Sequence, residues 1–164
     1  MGTVLSLVMF RPPASTYAAS TMSSPPLYVV HGVPCLWYPF PRNKAIILYL
    51  HANAVDLGMI ANTMSQMRWA TQCSVLAVEY PGYGVHQGSP SPDACVTAAM
   101  RAYAYVRERA PAVPVVIMGR SIGTGVAAQL AARVVARGHP CAGLVLISPF
   151  ASMERMVAAR IGGT

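Results

Sequence analysis

The chain has 164 residues, 54% of them hydrophobic and only 10% charged. It is therefore expected to be globular, with enough apolar surface for one sizeable core, and a disordered chain is excluded. Twelve Lys and Arg against five Asp and Glu give a formal charge of +7. The arginines are scattered and not interleaved with aromatics, so nucleic acid is excluded as a partner. They read first as solvated helix faces and second as an attraction to an anionic membrane surface. Cys35, Cys73, Cys95 and Cys141 are widely spaced, without a C-x-x-C. They are expected to be reduced core thiols, with no metal site and no cofactor. No run of eighteen apolar residues is present, so no spanning helix is expected. The apolar run Val4–Phe10 follows no basic residue, which argues against a secretory signal and for a cytoplasmic protein.

In chain order, Met1-Gly2-Thr3-Val4-Leu5-Ser6 fits M-G-x-x-x-[ST], the pattern for myristoylation of Gly2. One such chain binds a membrane only marginally, and no cysteine stands near it to carry a second. A lipid there would place the protein at the cytoplasmic face of a membrane. Residues 11–26 are rich in Pro, Ser, Thr and Ala and read as a linker. The division expected is thus an N-terminal, lipid-anchored segment over 1–26 and a folded domain over 27–164. Leu27 to Tyr38, broken at Gly32 and Pro34, predicts two short strands at a sheet edge, with His31 within an edge strand. Ala45 to Leu50 predicts a strand buried on both faces, ending in His51-Ala52-Asn53-Ala54. Asp56 can cap a helix reaching Gln72. Val75 to Tyr80 is the next buried strand, followed by the turn Pro81-Gly82-Tyr83-Gly84. Ser91 as N-cap and Pro92 in the first helical position start a helix reaching Ala110. Val113 to Met118 predicts a strand, then a helix that stops at Gly138. Leu144 to Ile147 is a further strand before Ser148-Pro149-Phe150, and Met153 to Arg160 reads as helical. This alternation predicts an α/β fold, a mostly parallel sheet with helices on both faces, whose motifs gather at the carboxyl ends of the strands.

The chemistry centres on Gly119-Arg120-Ser121-Ile122-Gly123, which fits G-x-S-x-G between a strand and a helix. That context makes a nucleophile elbow, with Ser121 held above the sheet; the competing account is a βα turn with Ser121 as N-cap. Acyl transfer at a serine needs a hydroxyl, a base and donors for the oxyanion. Ser121 is the candidate nucleophile. The backbone N–H of Ile122 is one candidate oxyanion donor, and the turn at His51–Ala54 offers a second, the N–H of Asn53 or of Ala54, with Asn53 the one chosen. No base is evident. His31 lies in an edge strand, His139 beyond the elbow helix at its far end, and His51 in the oxyanion turn, where it is expected to order the loop. His86 is on the correct face without a visible path to Ser121. After Ser121 stand only Glu154 and His139, in the wrong order for a Ser–acid–His series. Gly123-Thr124-Gly125-Val126-Ala127-Ala128 also fits G-x-G-x-x-A, but the next strand ends in Ser148 without the acid a dinucleotide site needs. A Walker A loop is absent.

Four stretches together resemble a known family. Leu50-His51-Ala52-Asn53-Ala54-Val55-Asp56-Leu57-Gly58, Glu79-Tyr80-Pro81-Gly82-Tyr83-Gly84, Gly119–Gly125 and Ser148-Pro149-Phe150 are similar, in order, to motifs of α/β-hydrolase domain 17-type proteins and their bem46-like relatives. The resemblance implies an α/β-hydrolase fold lacking its C-terminal strands. It also implies a serine hydrolase acting on acyl esters or thioesters, with an acylated protein or a small acyl ester as partner; the best-known members remove palmitate from membrane-bound proteins. The family's catalytic Asp and His would lie beyond the last strand found here. The expectation is therefore a fragment that turns over little substrate by itself. The alternative is a catalytically dead, membrane-associated interaction module.

Overall fold

The computed structural model describes residues 10–18 and 26–150. The six strands are β1 (Leu27–Val30), β2 (Val33–Tyr38), β3 (Ile46–Leu50), β4 (Ser74–Val78), β5 (Val115–Arg120) and β6 (Gly143–Ile147). They form one sheet in the order β1-β2-β4-β3-β5-β6. β4, β3, β5 and β6 run parallel, while β1 and β2 form an antiparallel hairpin that joins the sheet at β4. The hairpin turns on His31 (φ 47°) and Gly32 (φ 80°). His31 thus occupies a two-residue turn rather than an edge strand; paired positive φ values suit the right-handed twist of the flanking strands.

Three helices connect the parallel strands: α1 (Leu57–Thr71), α2 (Pro92–Arg109) and α3 (Ile122–Ala136). The expected cap of α1 is present, with the Asp56 carboxylate accepting from Met59 N at 3.0 Å. Ser91 Oγ accepts from Ala94 N at 3.1 Å, with Pro92 starting α2 as its preset φ favours. Period-two alternation divides β3 between two cores. Ile46, Leu48 and Leu50 pack with Ala99, Val106, Ile122 and Leu130 under α2 and α3, while Ile47 and Tyr49 pack with Leu57 and Met64 under α1. All five residues of β3 and all five of β4 are buried, as their continuous apolar runs require. β6 has the same kind of sequence, yet Leu144, Val145, Leu146 and Ile147 remain exposed beside β5.

The linker reading of residues 11–26 meets a difference at 10–18. Phe10 and Tyr17 are buried, and the backbone between them runs along the loops that follow β3 and β4. The predicted helix at Met153–Arg160 and the acylation pattern at Gly2 fall outside the described residues.

Candidate active site

All four parallel strands end on the same side of the sheet, and the motif residues follow those ends. Ser121 has φ 51° and ψ −118°, a conformation that costs an L-residue about 1–3 kcal/mol. This geometry separates the two accounts of the serine. Asp56 and Ser91, which do cap helices, are extended at φ −117° and −149° and accept from a backbone N–H. Ser121 makes no side-chain cap bond. Its backbone is fixed instead: Ser121 N donates to Ile147 O at 2.9 Å, and Ser121 O accepts from Thr124 N (2.9 Å) and Thr124 Oγ1 (2.6 Å).

The glycines of the pentapeptide allow the close approach. A Cβ on Gly119 would run into the Gly123 carbonyl and stand 2.8 Å from Ala127 Cβ. A Cβ on Gly123 would run into Leu50 O and stand 2.7 Å from His51 O. The start of α3 therefore presses against the end of β3, and the two motifs are brought into backbone contact. Leu50 and Gly119 are register partners in the sheet.

The turn after β3 is held by a polar network. Asn53 Oδ1 accepts from Arg11 N (2.8 Å), Ala54 N (2.9 Å) and Tyr83 Oη (2.7 Å). Ala54 has a positive φ of 57°. The His51 ring is wholly buried, with Nδ1 2.8 Å from Ala52 O and Nε2 2.9 Å from Glu79 Oε1. It stacks on Tyr80 at a centroid distance of 4.1 Å, and Tyr80 Oη donates to His51 O at 3.1 Å. His51 orders this loop, as its position in the sequence suggests. Glu79, also fully buried, accepts at Oε2 from Tyr17 Oη (2.7 Å) and Leu57 N (3.0 Å). Its carboxylate so sits at the N-terminus of α1, where an anion is favoured.

Ser121, Asn53 and Ile122 thus gather at the ends of β3 and β5. Ile122 opens α3, where a backbone N–H has no intrahelical acceptor. Among the described residues no histidine ring reaches Ser121. His86 Nδ1 binds Glu79 O at 2.9 Å, His31 pairs with Glu108 at 3.2 Å, and His139 lies past the C-terminus of α3, where its carbonyl accepts from Tyr103 Oη. Burial pushes the Cys95 thiol up to about 12 and Cys35 higher still, so neither supplies a thiolate. All four cysteines are free; Cys35 and Cys95 are in the core and Cys73 and Cys141 are half-buried. Burial, and next to it the Glu79 charge, raises the Tyr17 phenol far above its ordinary value, so Tyr17 is a fixed donor. Among the described residues no three His, Cys, Asp or Glu gather as a metal site, and no helix is long and apolar enough to cross a membrane.

Sequence reasoning passed over Glu79, Tyr17 and Tyr83 as site residues. One signal was available for Glu79: an acid closing an apolar strand in a chain with five acids must have buried partners.

Comparison with known proteins agrees with this geometry. Residues 64–159, more than half of the chain, match the family described as Thioesterase domain. The lysophosphatidylserine lipase ABHD12 of Danio rerio is 34% identical over 125 residues, covering 72% of this chain and 32% of that protein. The alpha/beta hydrolase domain-containing protein 17C of Xenopus tropicalis is 32% identical over 118 residues, covering 71% and 36%. The chain spans about a third of the length of the curated relatives it matches. Among solved structures, an alpha-beta hydrolase from Vibrio vulnificus superimposes with a TM-score of 0.68 at 23% identity, over 81% of this chain and 48% of that one. An esterase/lipase from an uncultured bacterium gives 0.64 at 21%, over 94% and 51%. The strained serine between two packed glycines, the mostly parallel sheet and the family match agree: the chain belongs to the thioesterase-domain family and carries part of the α/β-hydrolase fold.

Proposed function

We propose that this chain supplies the nucleophile and the oxyanion hole of a serine hydrolase that cleaves acyl esters or thioesters. The observation that carries the reading is the Ser121 backbone, held at φ 51° with Gly123 pressed on the carbonyls of Leu50 and His51. Ser121 Oγ attacks the acyl carbonyl, its proton passes to a base, and the leaving alcohol or thiol departs from an acyl-serine that water then hydrolyses. The N–H groups of Ile122 and Asn53 receive the oxyanion; one such donor is worth about 2.7–4 kcal/mol in the transition state. Among the described residues none of His31, His51, His86 and His139 meets Ser121, so the base is assigned to none of them.

The finer reading is removal of palmitate from acylated protein at the cytoplasmic face of a membrane, with Gly2 as the site of a myristoyl anchor. The M-G-x-x-x-[ST] pattern and the likeness to the domain 17C protein support it. A second reading has a specific observation behind it. That no histidine ring meets Ser121 among the described residues also fits a non-catalytic module that keeps the fold and lacks the chemistry.

A fluorophosphonate probe decides between them. Covalent labelling that is lost in Ser121→Ala supports the nucleophile and refutes the non-catalytic module. Hydrolysis of a palmitoylated peptide in preference to a lysophospholipid supports the finer reading, and the reverse preference refutes it. Metabolic labelling with a clickable myristate, lost in Gly2→Ala, tests the anchor.

A further inference from the structure

We propose that residues 10–17 are a strap that sets the geometry of the oxyanion turn, with Tyr17 as its positioning residue; the proposal rests on the reading of Ser121 and Asn53 given above. Contacts made by four of its eight residues support it. Phe10 is buried beside Ile122 and Val126, the first turns of the helix that follows the nucleophile. Arg11 N donates to Asn53 Oδ1. Thr16 donates through both N and Oγ1 to the two Asp56 oxygens, each at 2.6 Å. Tyr17 Oη donates to Glu79 Oε2, whose other oxygen holds His51.

These contacts address both ends of one short turn. Through Glu79, Tyr17 acts on the His51 ring and so on Ala52, whose carbonyl that ring binds. Through Arg11, the strap acts on Asn53 directly. The domain is shaped to receive it. A Cβ on Gly58 would meet Thr16 Oγ1, and one on Gly84 would meet Glu79 Oε2 and the Tyr17 phenol. Pro12 and Pro13, the features that make the segment look like a linker, fix two φ angles between Phe10 and Thr16. They lower the entropy lost when the strap docks. A peptide that merely covered apolar surface would need Phe10 and Tyr17 but not three hydrogen bonds to carboxylate oxygens buried in the domain.

The test compares two tyrosines in the full chain. Tyr17→Phe removes the hydroxyl on Glu79. Tyr38→Phe removes a hydroxyl that donates to Ala61 O at 2.6 Å, on the same face of the sheet but outside the site. Amide hydrogen exchange at Ala52, Asn53 and Ala54 is measured beside the rate of fluorophosphonate labelling of Ser121. Y17F is expected to speed exchange at these amides and slow labelling, each by about tenfold, the scale of a hydrogen bond to a charged group. Y38F is expected to change neither. Equal effects of Y17F and Y38F, or wild-type exchange in Y17F, would overturn the proposal. The double variant Pro12→Gly, Pro13→Gly leaves the hydrogen bonds of Arg11, Thr16 and Tyr17 in place and is expected to act in the same direction by about threefold. It carries the test should Y17F not fold, and wild-type exchange in it would then overturn the strap. The exchange data decide the strap even where the wild-type chain takes no label, so failure of the strap and failure of the nucleophile reading stay distinguishable.

Discussion

Gly123→Ala offers the most direct test of the packed elbow. The added methyl would meet two backbone carbonyls, Leu50 O and His51 O, which no rotamer change can move aside. At His51 O the separation would be 2.7 Å where ordinary contact begins at 3.4 Å, and Leu50 O is nearer still, so helix and turn must part by at least about 0.7 Å. The overpacking costs about 3 kcal/mol, against a gain of about 1 kcal/mol from replacing glycine in a helix. The net loss of about 2 kcal/mol lowers Tm by roughly 4–8 °C in a chain of this length. Displacement of the proposed oxyanion donors by that distance should slow fluorophosphonate labelling of Ser121 by at least about tenfold. Gly125→Ala is the control. There the new methyl would stand 3.3 Å from Phe150 Cζ, the far end of a side chain, so the helix gain dominates and Tm should hold or rise. Circular dichroism melts and labelling kinetics on both variants supply the measurement. A Gly123→Ala protein with unchanged Tm and labelling would refute the account of close backbone approach.

Ser121→Gly should abolish labelling while raising Tm by about 2–4 °C, because glycine accepts the positive φ without the roughly 1 kcal/mol of strain borne by serine; a lower Tm would contradict it. Asp56→Ala removes the cap of α1 and both acceptors of Thr16, and should cost about 3 kcal/mol, read as a loss of roughly 6–12 °C in Tm. Alkali should unfold the protein through its phenols. Burial raises Tyr38 to about 12, opposed in part by Arg68, and Tyr17, Tyr80 and Tyr83 further. A folded value above the unfolded one means that this stability is complete below about pH 10 and is lost as pH rises through 12. Phenolate absorbance should therefore rise together with loss of helix. Smooth ionisation near pH 10 with the helix signal intact would count against it.

The parts of the site that could be read in the sequence were those written in consecutive residues. Gly119–Gly123 shows its elbow because strand, glycines and serine adjoin, and Asp56 and Ser91 show their caps for the same local reason. Whether Ser121 caps its helix or stands out from it was not decided by the pentapeptide, since both accounts need the same residues; the sign of φ decided it. The strap was hidden for a different reason. Its proline-rich composition is that of a linker, and its partners lie 40 to 62 residues away, at Asp56, Asn53 and Glu79. No periodicity connects Tyr17 to Glu79, because the pairing exists only once β4 has been placed beside β2 and β3. His31 was misplaced because histidine is not a usual sign of a two-residue hairpin turn, although the Gly32 beside it is.

The long reach of the strap also sets an order of events during synthesis. Tyr17 leaves the ribosome 62 residues ahead of Glu79, an interval of about 3–12 s at ordinary elongation rates. Through that interval Phe10 and Tyr17 have no core to enter, because Ile122 and Val126, which pack beside Phe10, are made later still. A segment translated ahead of the sheet thus finds its place only after the elbow helix has been made. A nascent chain stalled before the elbow helix should present those two aromatics to chaperones, and release them when that helix closes over Phe10.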